Sequence, residues 1–289
     1  MPPAAPRRRQ PCNGRGSTRL SWSTRSGGQA SPWSSSHGAF IADAFRPLLA
    51  EPTLAGAYRL ILYRRRGYAS SGHAGEPVSV VRQAADCREL LHHLGVGRAH
   101  VVGHSYGGCV ALQLALDAPE VAHSLALLEP GLAVGASAQG YRESLARGAL
   151  RYREAGASVV VDEFFQARWP GYRETLEQLL PGAFAQAVAD AETWFERELP
   201  GLLGWQFGEK EARRITQPAL AVLGGASDAL WPRFGETHRL LLAWLPRAQG
   251  VVLPGATHFL HLENPSYCRG MAGVLAQFFA RHPLPAGSA

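Results

Sequence analysis

Short apolar runs alternate with helical patterns along the first half of the chain. Residues 58–63 form an apolar run of strand length, and residues 79–94 repeat apolar positions with helical spacing. The strand-like run 99–102, the small-residue apolar helix 109–116 and the run 123–129 continue this alternation. The β-α-β-α order predicts a mostly parallel sheet, with ligands at the carboxyl ends of its strands.

Residues 103–108, with the sequence GHSYGG, join a predicted strand to a predicted helix. The small residues around Ser105 permit the sharp strand-turn-helix bend of a nucleophile elbow, which exposes a serine hydroxyl beside a helix N-terminus. The pattern G-x-S-x-G alone is weak evidence in a chain with 32 Gly, and the flanking strand and helix make it specific. Ser105 is therefore the candidate nucleophile.

A serine hydroxyl needs a base, and the base needs a group that orients it. Residues 218–224, PALAVLG, predict a strand whose exit loop carries Asp228. Residues 251–253 predict another short strand, and its exit loop carries His258. The chain order Ser105, Asp228, His258 differs from the orders in chymotrypsin and subtilisin.

Five sequence blocks resemble the α/β-hydrolase fold superfamily and, within it, the serine hydrolases that carry a cap. These blocks are HGAF at 37–40, RRRGYASSG at 64–72, GHSYGG at 103–108, GGASD at 224–228 and PGATHFLHLENP at 254–265. The resemblance extends from about His37 to about Pro283. It implies the α/β-hydrolase fold: an eight-stranded, mostly parallel twisted sheet flanked by helices, with a helical cap inserted after strand 6. It also assigns the oxyanion hole to the backbone N–H groups of Tyr106 and Ala39.

The alternation stops between residues 135 and 214, where the sequence is helical throughout, and we interpret this segment as the cap. It is rich in large aromatic residues: Phe164, Phe165, Trp169, Phe184, Trp194, Phe195, Trp205 and Phe207. One interpretation is that these residues pack the cap helices together and onto the sheet. The other is that two or three of them line an apolar acyl pocket over Ser105.

Two of the proposed roles have rival residues. His261 follows His258 by three positions, but the proline-glycine turn before ATH resembles the family loop that places the first histidine. Glu129 ends the run LALLE, where some relatives keep their acid, so it is the alternative to Asp228. We expect His258 to be the base and Asp228 to be the acid.

No pair of histidines has metal-ligand spacing with a third ligand, so no metal site is expected. His37 and His104 are expected to brace the backbone. Cys12, Cys87, Cys109 and Cys268 are too few and too dispersed for a disulfide framework.

The first 36 residues differ from the rest in composition. They hold six Arg and no Asp or Glu. Subtracting six from 29 basic residues leaves 23 against 23 acidic ones, so the net charge of +6 resides in this segment. A basic arm for nucleic acid and a disordered extension are two interpretations. The predicted organisation is thus segment 1–36, core 37–134, cap 135–214, core 215–283 and tail 284–289.

Residues 31–36, SPWSSS, stand where the family has a buried apolar strand, so we expect that strand to be weak or missing. A third interpretation is that residues 1–36 are read out of frame. The chain has 28 Arg and one Lys, which is typical of a GC-rich gene. If residues 30–36 are encoded GCG AGC CCG TGG TCG TCG TCC, the frame that starts at the last base of the first codon encodes Glu-Pro-Val-Val-Val-Val.

These residues support acyl transfer without a cofactor. The expected activity is hydrolysis of a small or medium ester, lactone or thioester through a Ser-His-Asp triad and an acyl-enzyme. Perhydrolysis or C–C cleavage on the same triad is one alternative, and a receptor-like or inactive relative is another. The partner is a small-molecule substrate, with no nucleic acid, and the sequence does not indicate an oligomeric state.

The chain has no apolar run of the roughly 20 residues needed to span a membrane. Its basic N-terminal stretch lacks the apolar core of a signal peptide, so a cytoplasmic location is expected.

Overall fold

The computed structural model describes residues 20–25, 31–72 and 75–285. The strands in these ranges are β1 (Ser21–Arg25), β2 (Ser31–Ser36), β3 (Tyr58–Arg64), β4 (Ala99–His104), β5 (Ala122–Leu128), β6 (Ala219–Gly224) and β7 (Ala248–Leu253). They form one sheet in the order β1-β3-β2-β4-β5-β6-β7. Only the β1–β3 pair is antiparallel among the described strands. The predicted mostly parallel sheet is therefore confirmed.

Helices cover both faces of this sheet. The α-helices of the described residues are α1 (Arg46–Ala50), α2 (Pro52–Ala55), α3 (Val80–His93), α4 (Tyr106–Asp117), α5 (Ala138–Ala155), α6 (Ala157–Arg168), α7 (Tyr172–Leu179), α8 (Ala183–Ala189), α9 (Leu199–Gly204), α10 (Glu209–Ala212), α11 (Ser227–Leu230), α12 (Pro232–Trp244) and α13 (Pro265–Arg281). A π-helical turn, Thr193–Glu198, precedes α9. One apolar cluster includes residues of α3, α4 and the segment between β5 and β6, and a second includes residues of α1, α2 and α13.

The helices α5 to α10 and the π-helical turn follow β5 and precede β6. We call this segment the cap. The resemblance implied eight strands with an insertion after the sixth. In the described residues the sheet has seven strands, and the insertion follows the fifth of them. Residues 1–19 and 26–30 of the basic segment and residues 286–289 of the tail lie outside the described residues.

The strand before His37 is present, so the prediction that it is weak or missing is wrong. β2 pairs in parallel with β3 on one side and β4 on the other, and these backbone ladders satisfy its peptide groups. Trp33 is fully buried, with its ring centroid 5.9 Å from that of Phe279. The strand therefore forms on backbone pairing and one large apolar side chain, although its pattern is not that of a buried strand.

The three buried serines of β2 have long-range and weak hydroxyl partners. Ser34 Oγ lies 3.8 Å from Cys87 Sγ, and Ser35 Oγ donates to the Ile61 carbonyl at 3.4 Å. These distances exceed those of good hydrogen bonds. Burying a hydroxyl with a poor partner costs free energy, so this strand stabilises the core less than an apolar strand would.

Four loop positions meet at one edge of the sheet because the strands before them are parallel neighbours. Ser105 follows β4, Glu129 follows β5, Asp228 follows β6 and His258 follows β7. This is the carboxyl edge, at which ligands bind in open α/β sheets. No helix in the described part of the chain is long and apolar enough to cross a membrane.

We predict that replacing Ser34 and Ser35 together by Val stabilises the protein. Each change adds buried apolar surface and removes a poorly paired hydroxyl, so the free energy of unfolding should rise by roughly 1 to 3 kcal/mol per site. Denaturant unfolding measures this gain. The control is Ser23→Val on β1, where the side chain is exposed and the change should stay within about 0.5 kcal/mol. A double variant less stable than the parent would contradict this account of β2.

Candidate active site

Ser105 occupies a strained turn between β4 and α4. Its φ of 52° and ψ of −119° lie outside the regions that non-glycine residues favour. The glycines around it permit this bend, because a Cβ on Gly103 would lie 2.3 Å from the Gly107 carbonyl oxygen. A Cβ on Gly107 would lie 2.0 Å from the carbonyl oxygen of Ser36 at the end of β2. The turn thus packs directly against the backbone of β2, with no room for a side chain between them.

Glu129 and His258 form a buried hydrogen-bonded pair at the same edge. His258 Nδ1 lies 2.8 Å from Glu129 Oε2, and both side chains are almost completely buried. Glu129 Oε1 accepts a hydrogen bond from the Gly224 N–H at 2.7 Å. With a carboxylate at Nδ1 the imidazole carries its proton there, and the Nε2 lone pair remains available as a base.

This pair corrects the prediction that Asp228 orients His258. The acid at Nδ1 is Glu129, the alternative named from the sequence. Asp228 lies in α11 with its carboxylate against the backbone of Gly235, where a Cβ would come within 1.9 Å of Oδ1. β5 lies beside β4 in the sheet, so a carboxylate at the exit of β5 is one strand closer to the Ser105 turn than one at the exit of β6.

Burial shifts the pKa values of the pair in opposite directions. Desolvation raises the pKa of Glu129 to about 7, and the Gly224 N–H opposes part of that rise. Desolvation lowers the pKa of His258 well below its usual value, and the charges of Arg233 and Arg168 lower it further. The imidazole is therefore neutral at pH 7, as a general base must be.

His258 is held against the residue that precedes Ser105. His104 Nε2 donates to the His258 carbonyl at 2.8 Å, and the two ring centroids are 4.7 Å apart. Phe234 stacks on the other side of the His258 ring at 4.5 Å. His104 thus braces backbone, as predicted, and sets His258 beside the Ser105 turn.

The rival histidine, His261, has different surroundings. Its ring stacks on Phe45 at 4.7 Å and lies edge-on to His104. Neither of its ring nitrogens has a hydrogen-bond partner among the described residues. His261 lacks the orienting carboxylate that His258 has, so the geometry favours His258 as the base.

The two backbone N–H groups that the resemblance assigns to the oxyanion hole, those of Tyr106 and Ala39, belong to segments next to Ser105. The Tyr106 N–H is the first of α4, where helical amides have no intrahelical acceptor. The loop after β2 approaches from the other side, since a Cβ on Gly38 would lie 3.2 Å from Ser105 Cβ. Ala39 follows Gly38, and its N–H donates to no acceptor within the described ranges.

A buried ion pair fixes the loop that carries Ala39. The Arg65 guanidinium donates to both carboxylate oxygens of Glu198, at 2.8 Å and 2.9 Å. The same guanidinium donates to the carbonyls of His37 and Gly38, while Tyr68 donates to Glu198 at 2.7 Å. Arg65 thus joins the end of β3, the loop after β2 that carries Ala39, and the cap.

Arg65 and Glu198 brace the loop of the candidate site, and the sequence analysis missed them. Arg65 lies inside RRRGYASSG, so its block was identified but its role was not. Glu198 ends the π-helical turn of the cap and carries no local signal in the sequence. His37 braces the same loop, as predicted, because its Nδ1 donates to the Gly38 carbonyl at 2.8 Å and its Nε2 accepts from the Arg65 N–H.

Aromatic side chains of the cap pack around Phe40, which lies in the loop after β2. The Phe40 ring centroid lies 4.9 Å from Phe164, 6.0 Å from Phe165 and 5.7 Å from Phe195. Phe165 and Phe195 are buried, which agrees with the packing interpretation for these two, while Phe164 is half-buried. A cavity of about 350 Å³ opens beside Phe40, and its lining does not include Ser105, Glu129 or His258.

The described residues contain no group of three or more His, Cys, Asp or Glu side chains that could hold a metal ion. Cys87, Cys109 and Cys268 are free and buried. Cys12 lies outside the described residues. The site within the described ranges thus consists of a strained serine, a histidine-glutamate pair and the backbone segments of Tyr106 and Ala39 beside the serine.

Comparisons with known proteins extend this picture. The sequence matches the alpha/beta hydrolase family model over residues 13–268. It is 30% identical over 257 residues to the dihydrolipoyllysine-residue acetyltransferase component of the acetoin cleaving system of Pseudomonas putida, covering 84% of this chain and 63% of that protein. The chain therefore spans less than two thirds of that relative's length.

Two further similarities extend over most of this chain and most of the related protein. The 2-hydroxymuconate semialdehyde hydrolase of Pseudomonas putida is 27% identical over 253 residues, covering 80% of this chain and 84% of the relative. The structure of a thermophilic esterase from Thermogutta terrifontis superimposes with a TM-score of 0.75 at 22% identity, covering 97% of this chain and all of that one. At this identity the structural similarity establishes the fold alone.

We predict that Glu129→Gln reduces kcat on an ester substrate by a factor on the order of 10⁴, the loss seen when a triad acid becomes an amide. Asp228→Asn should change kcat by about threefold or less, because Glu129 already occupies the Nδ1 position of His258. Steady-state kinetics on both variants measure the contrast. A larger loss in Asp228→Asn than in Glu129→Gln would return the orienting role to Asp228.

We also predict that kcat/KM rises with pH through about 7, the pKa to which burial raises Glu129. Below that pH the carboxyl is protonated and no longer accepts the Nδ1 proton as an anion. Above it the carboxylate stabilises the imidazolium that forms during the reaction. His258, with its lowered pKa, stays neutral across this range. A profile that is flat between about pH 6 and 8 would contradict the assignment.

Proposed function

This chain belongs to the alpha/beta hydrolase family, and from that premise we propose that it is a serine hydrolase with Ser105 as nucleophile, His258 as base and Glu129 as acid. The family match supports an enzyme that performs hydrolysis. The hydrogen bond of 2.8 Å between His258 Nδ1 and Glu129 Oε2, beside the strained Ser105 turn, is the observation that carries the proposal.

In the proposed mechanism His258 Nε2 removes the proton of Ser105 as Oγ attacks the carbonyl carbon of the substrate. The carbonyl π electrons move to oxygen, and the oxyanion is bound by the N–H groups of Tyr106 and Ala39. Collapse of this intermediate expels the leaving group, which takes the proton from His258. Water then attacks the acyl-enzyme, with His258 again as base, and restores Ser105.

Glu129 has two effects in this sequence. It holds the Nδ1–H tautomer that leaves Nε2 free, and it offsets the positive charge that the imidazole gains in each half-reaction. The N–H donors act on the charge that develops on oxygen. Removing one such donor in a serine protease costs about 2.7 to 4 kcal/mol of transition-state stabilisation.

We propose that the substrate is a small or medium ester, lactone or thioester. The cap lies over the carboxyl edge of the sheet and packs its aromatic side chains on Phe40, so a polymer has little access to Ser105. The similarity of fold to an esterase is consistent with this class. Because the chain spans only part of the acetyltransferase component's length, that relative's activity does not narrow the substrate.

Hydrolysis of a C–C bond is the second candidate. It is favoured by the similarity to 2-hydroxymuconate semialdehyde hydrolase, which extends over most of both chains. The same serine, histidine and carboxylate can serve this reaction.

Labelling with a fluorophosphonate tests the proposal directly, because only an activated serine reacts. We predict labelling of the native protein and none of Ser105→Ala or His258→Ala. Both variants and the double variant should lose para-nitrophenyl ester hydrolysis to a similar extent, since triad residues act as a unit.

The matched control is Ser266→Ala, which removes an exposed hydroxyl on α13 and should leave labelling and hydrolysis unchanged. Persistent hydrolysis by Ser105→Ala would overturn the mechanism. An unlabelled native protein would favour the receptor-like alternative. Assays on 2-hydroxymuconate semialdehyde then distinguish C–C from ester hydrolysis.

A further inference from the structure

Two arginines, one from the cap and one from the core, lie close enough to His258 for their charges to act on it. Arg168 is the last residue of α6 in the cap, and Arg233 is the second residue of α12 in the core. Both side chains are half-buried. Each guanidinium lies over an aromatic ring: that of Arg168 is 3.8 Å from the Phe164 centroid, and that of Arg233 is 3.8 Å from the Tyr141 centroid. Such stacking leaves the hydrogen-bonding edges of the guanidinium groups free.

Neither guanidinium has a carboxylate partner. No ion pair in the described part of the chain includes Arg168 or Arg233. Arg233 Nη1 is buried and has no hydrogen-bond acceptor among the described residues. Arg168 Nη1 donates to the Phe164 carbonyl at 3.1 Å. A buried guanidinium nitrogen without an acceptor is costly, so this arrangement needs an explanation.

Other buried arginines of the chain differ in this respect. Arg65 is paired with Glu198, and Arg66 donates to both oxygens of Asp86 at 2.9 Å and 2.7 Å. The chain therefore supplies a carboxylate to guanidinium groups that have a structural role. The absence of such a group at Arg168 and Arg233 indicates that their anion comes from outside the chain.

Both arginines are connected to the proposed catalytic residues. Arg233 also lies 3.9 Å from the Phe234 ring centroid, and Phe234 stacks on His258. The main-chain carbonyl of Arg168 accepts a hydrogen bond from Thr257 Oγ1 at 2.7 Å, next to His258 in the chain. The charges of both arginines also act on His258, so a group that they bind lies near the proposed base.

The charge balance supports an anionic ligand. Desolvation, together with the charge of Arg233, lowers the pKa of Arg168 to about 10, and desolvation also lowers the pKa of Arg233. A guanidinium group stays protonated in proteins at pH 7, so both arginines are cationic. Glu129 is the nearby carboxylate, but its two oxygens already accept from His258 and Gly224. The site thus holds positive charge in excess of the negative charge available to it.

We propose that Arg168 and Arg233 bind a carboxylate of the substrate, so that the preferred substrates are esters, thioesters, lactones or diketones with a free carboxylate on the part that enters the site. This inference rests on the proposed function. A carboxylate presents two oxygens in one plane, and each oxygen can accept from a guanidinium group. One arginine comes from the cap and one from the core, so the bound carboxylate also bridges these two parts.

The test uses matched esters: para-nitrophenyl hexanoate, the mono-para-nitrophenyl ester of adipic acid, and the methyl para-nitrophenyl diester of adipic acid. The first two share a six-carbon acyl chain and differ in a terminal carboxylate, and the third masks that carboxylate. We expect a higher kcat/KM for the anionic ester than for either neutral one. The measured quantity is the ratio of kcat/KM for the anionic ester to that for hexanoate.

Arg168→Met and Arg233→Met should each lower this ratio by about 10- to 100-fold, as expected when a charged hydrogen bond is removed. The ratio cancels general effects on folding or on His258, which both substrates share. The control is Arg173→Met. Arg173 also lies in the cap, 4.2 Å from the Phe184 ring, but it is paired with Asp162 and 59% exposed. Its ratio should equal that of the parent.

Calorimetry on Ser105→Ala with the adipate monoester, with and without each arginine variant, measures binding independently of turnover. Hydrolysis of all three esters with a ratio near one, or an equal loss on both substrates in the arginine variants, would overturn the carboxylate site and leave the serine hydrolase standing. If no ester is hydrolysed, the proposed function fails. In that event calorimetry alone decides on the carboxylate site. Binding of the adipate monoester that weakens in both arginine variants supports the site, and binding that is absent or unchanged contradicts it.

Discussion

The buried ion pair between Arg65 and Glu198 is the interaction on which the geometry of the site depends. It joins residues 133 positions apart and connects the exit of β3 to the π-helical turn of the cap. The same guanidinium donates to the carbonyls of His37 and Gly38, and so holds the two residues that precede Ala39. Removing one partner of a buried pair leaves an uncompensated charge and typically costs about 3 to 5 kcal/mol. Here such a loss would also free the loop after β2 that carries Ala39. It would remove the contact between the cap and the core at Glu198.

The parallel order of the sheet provides the second constraint. Because β4, β5, β6 and β7 are neighbours and run in one direction, their exit loops meet at one edge. The serine, the carboxylate and the histidine are far apart in the chain but follow three of these strands. Burial then differentiates them. It raises the pKa of Glu129 and lowers that of His258, so the pair is suited to take up a proton during the reaction and to release it again.

The sequence predicted Ser105 and His258 because each has a local signal: small residues around a turn for one, and a proline-glycine turn after a strand for the other. The orienting acid depends on which strand exit reaches Nδ1, and that is a property of three-dimensional packing. Asp228 and Glu129 both follow strands, so pattern alone could not separate them. Arg65, Glu198, Arg168 and Arg233 were missed for the same reason, since their partners, or the lack of them, are visible only when the chain is folded. The prediction that β2 is weak or missing considered only its side chains. The strand forms because its backbone pairs with β3 on one side and β4 on the other.

The contact between Gly107 and the Ser36 carbonyl has a consequence for how this strand can vary. The elbow rests on the peptide backbone at the end of β2, with no side chain between them. The position of Ser105 therefore follows the path of that backbone, whatever residues it carries. Side chains in β2 can diverge widely, at a cost in stability, while Ser105 keeps its place. Because Gly107 has no side chain, the position of Ser105 does not depend on which side chains β2 carries.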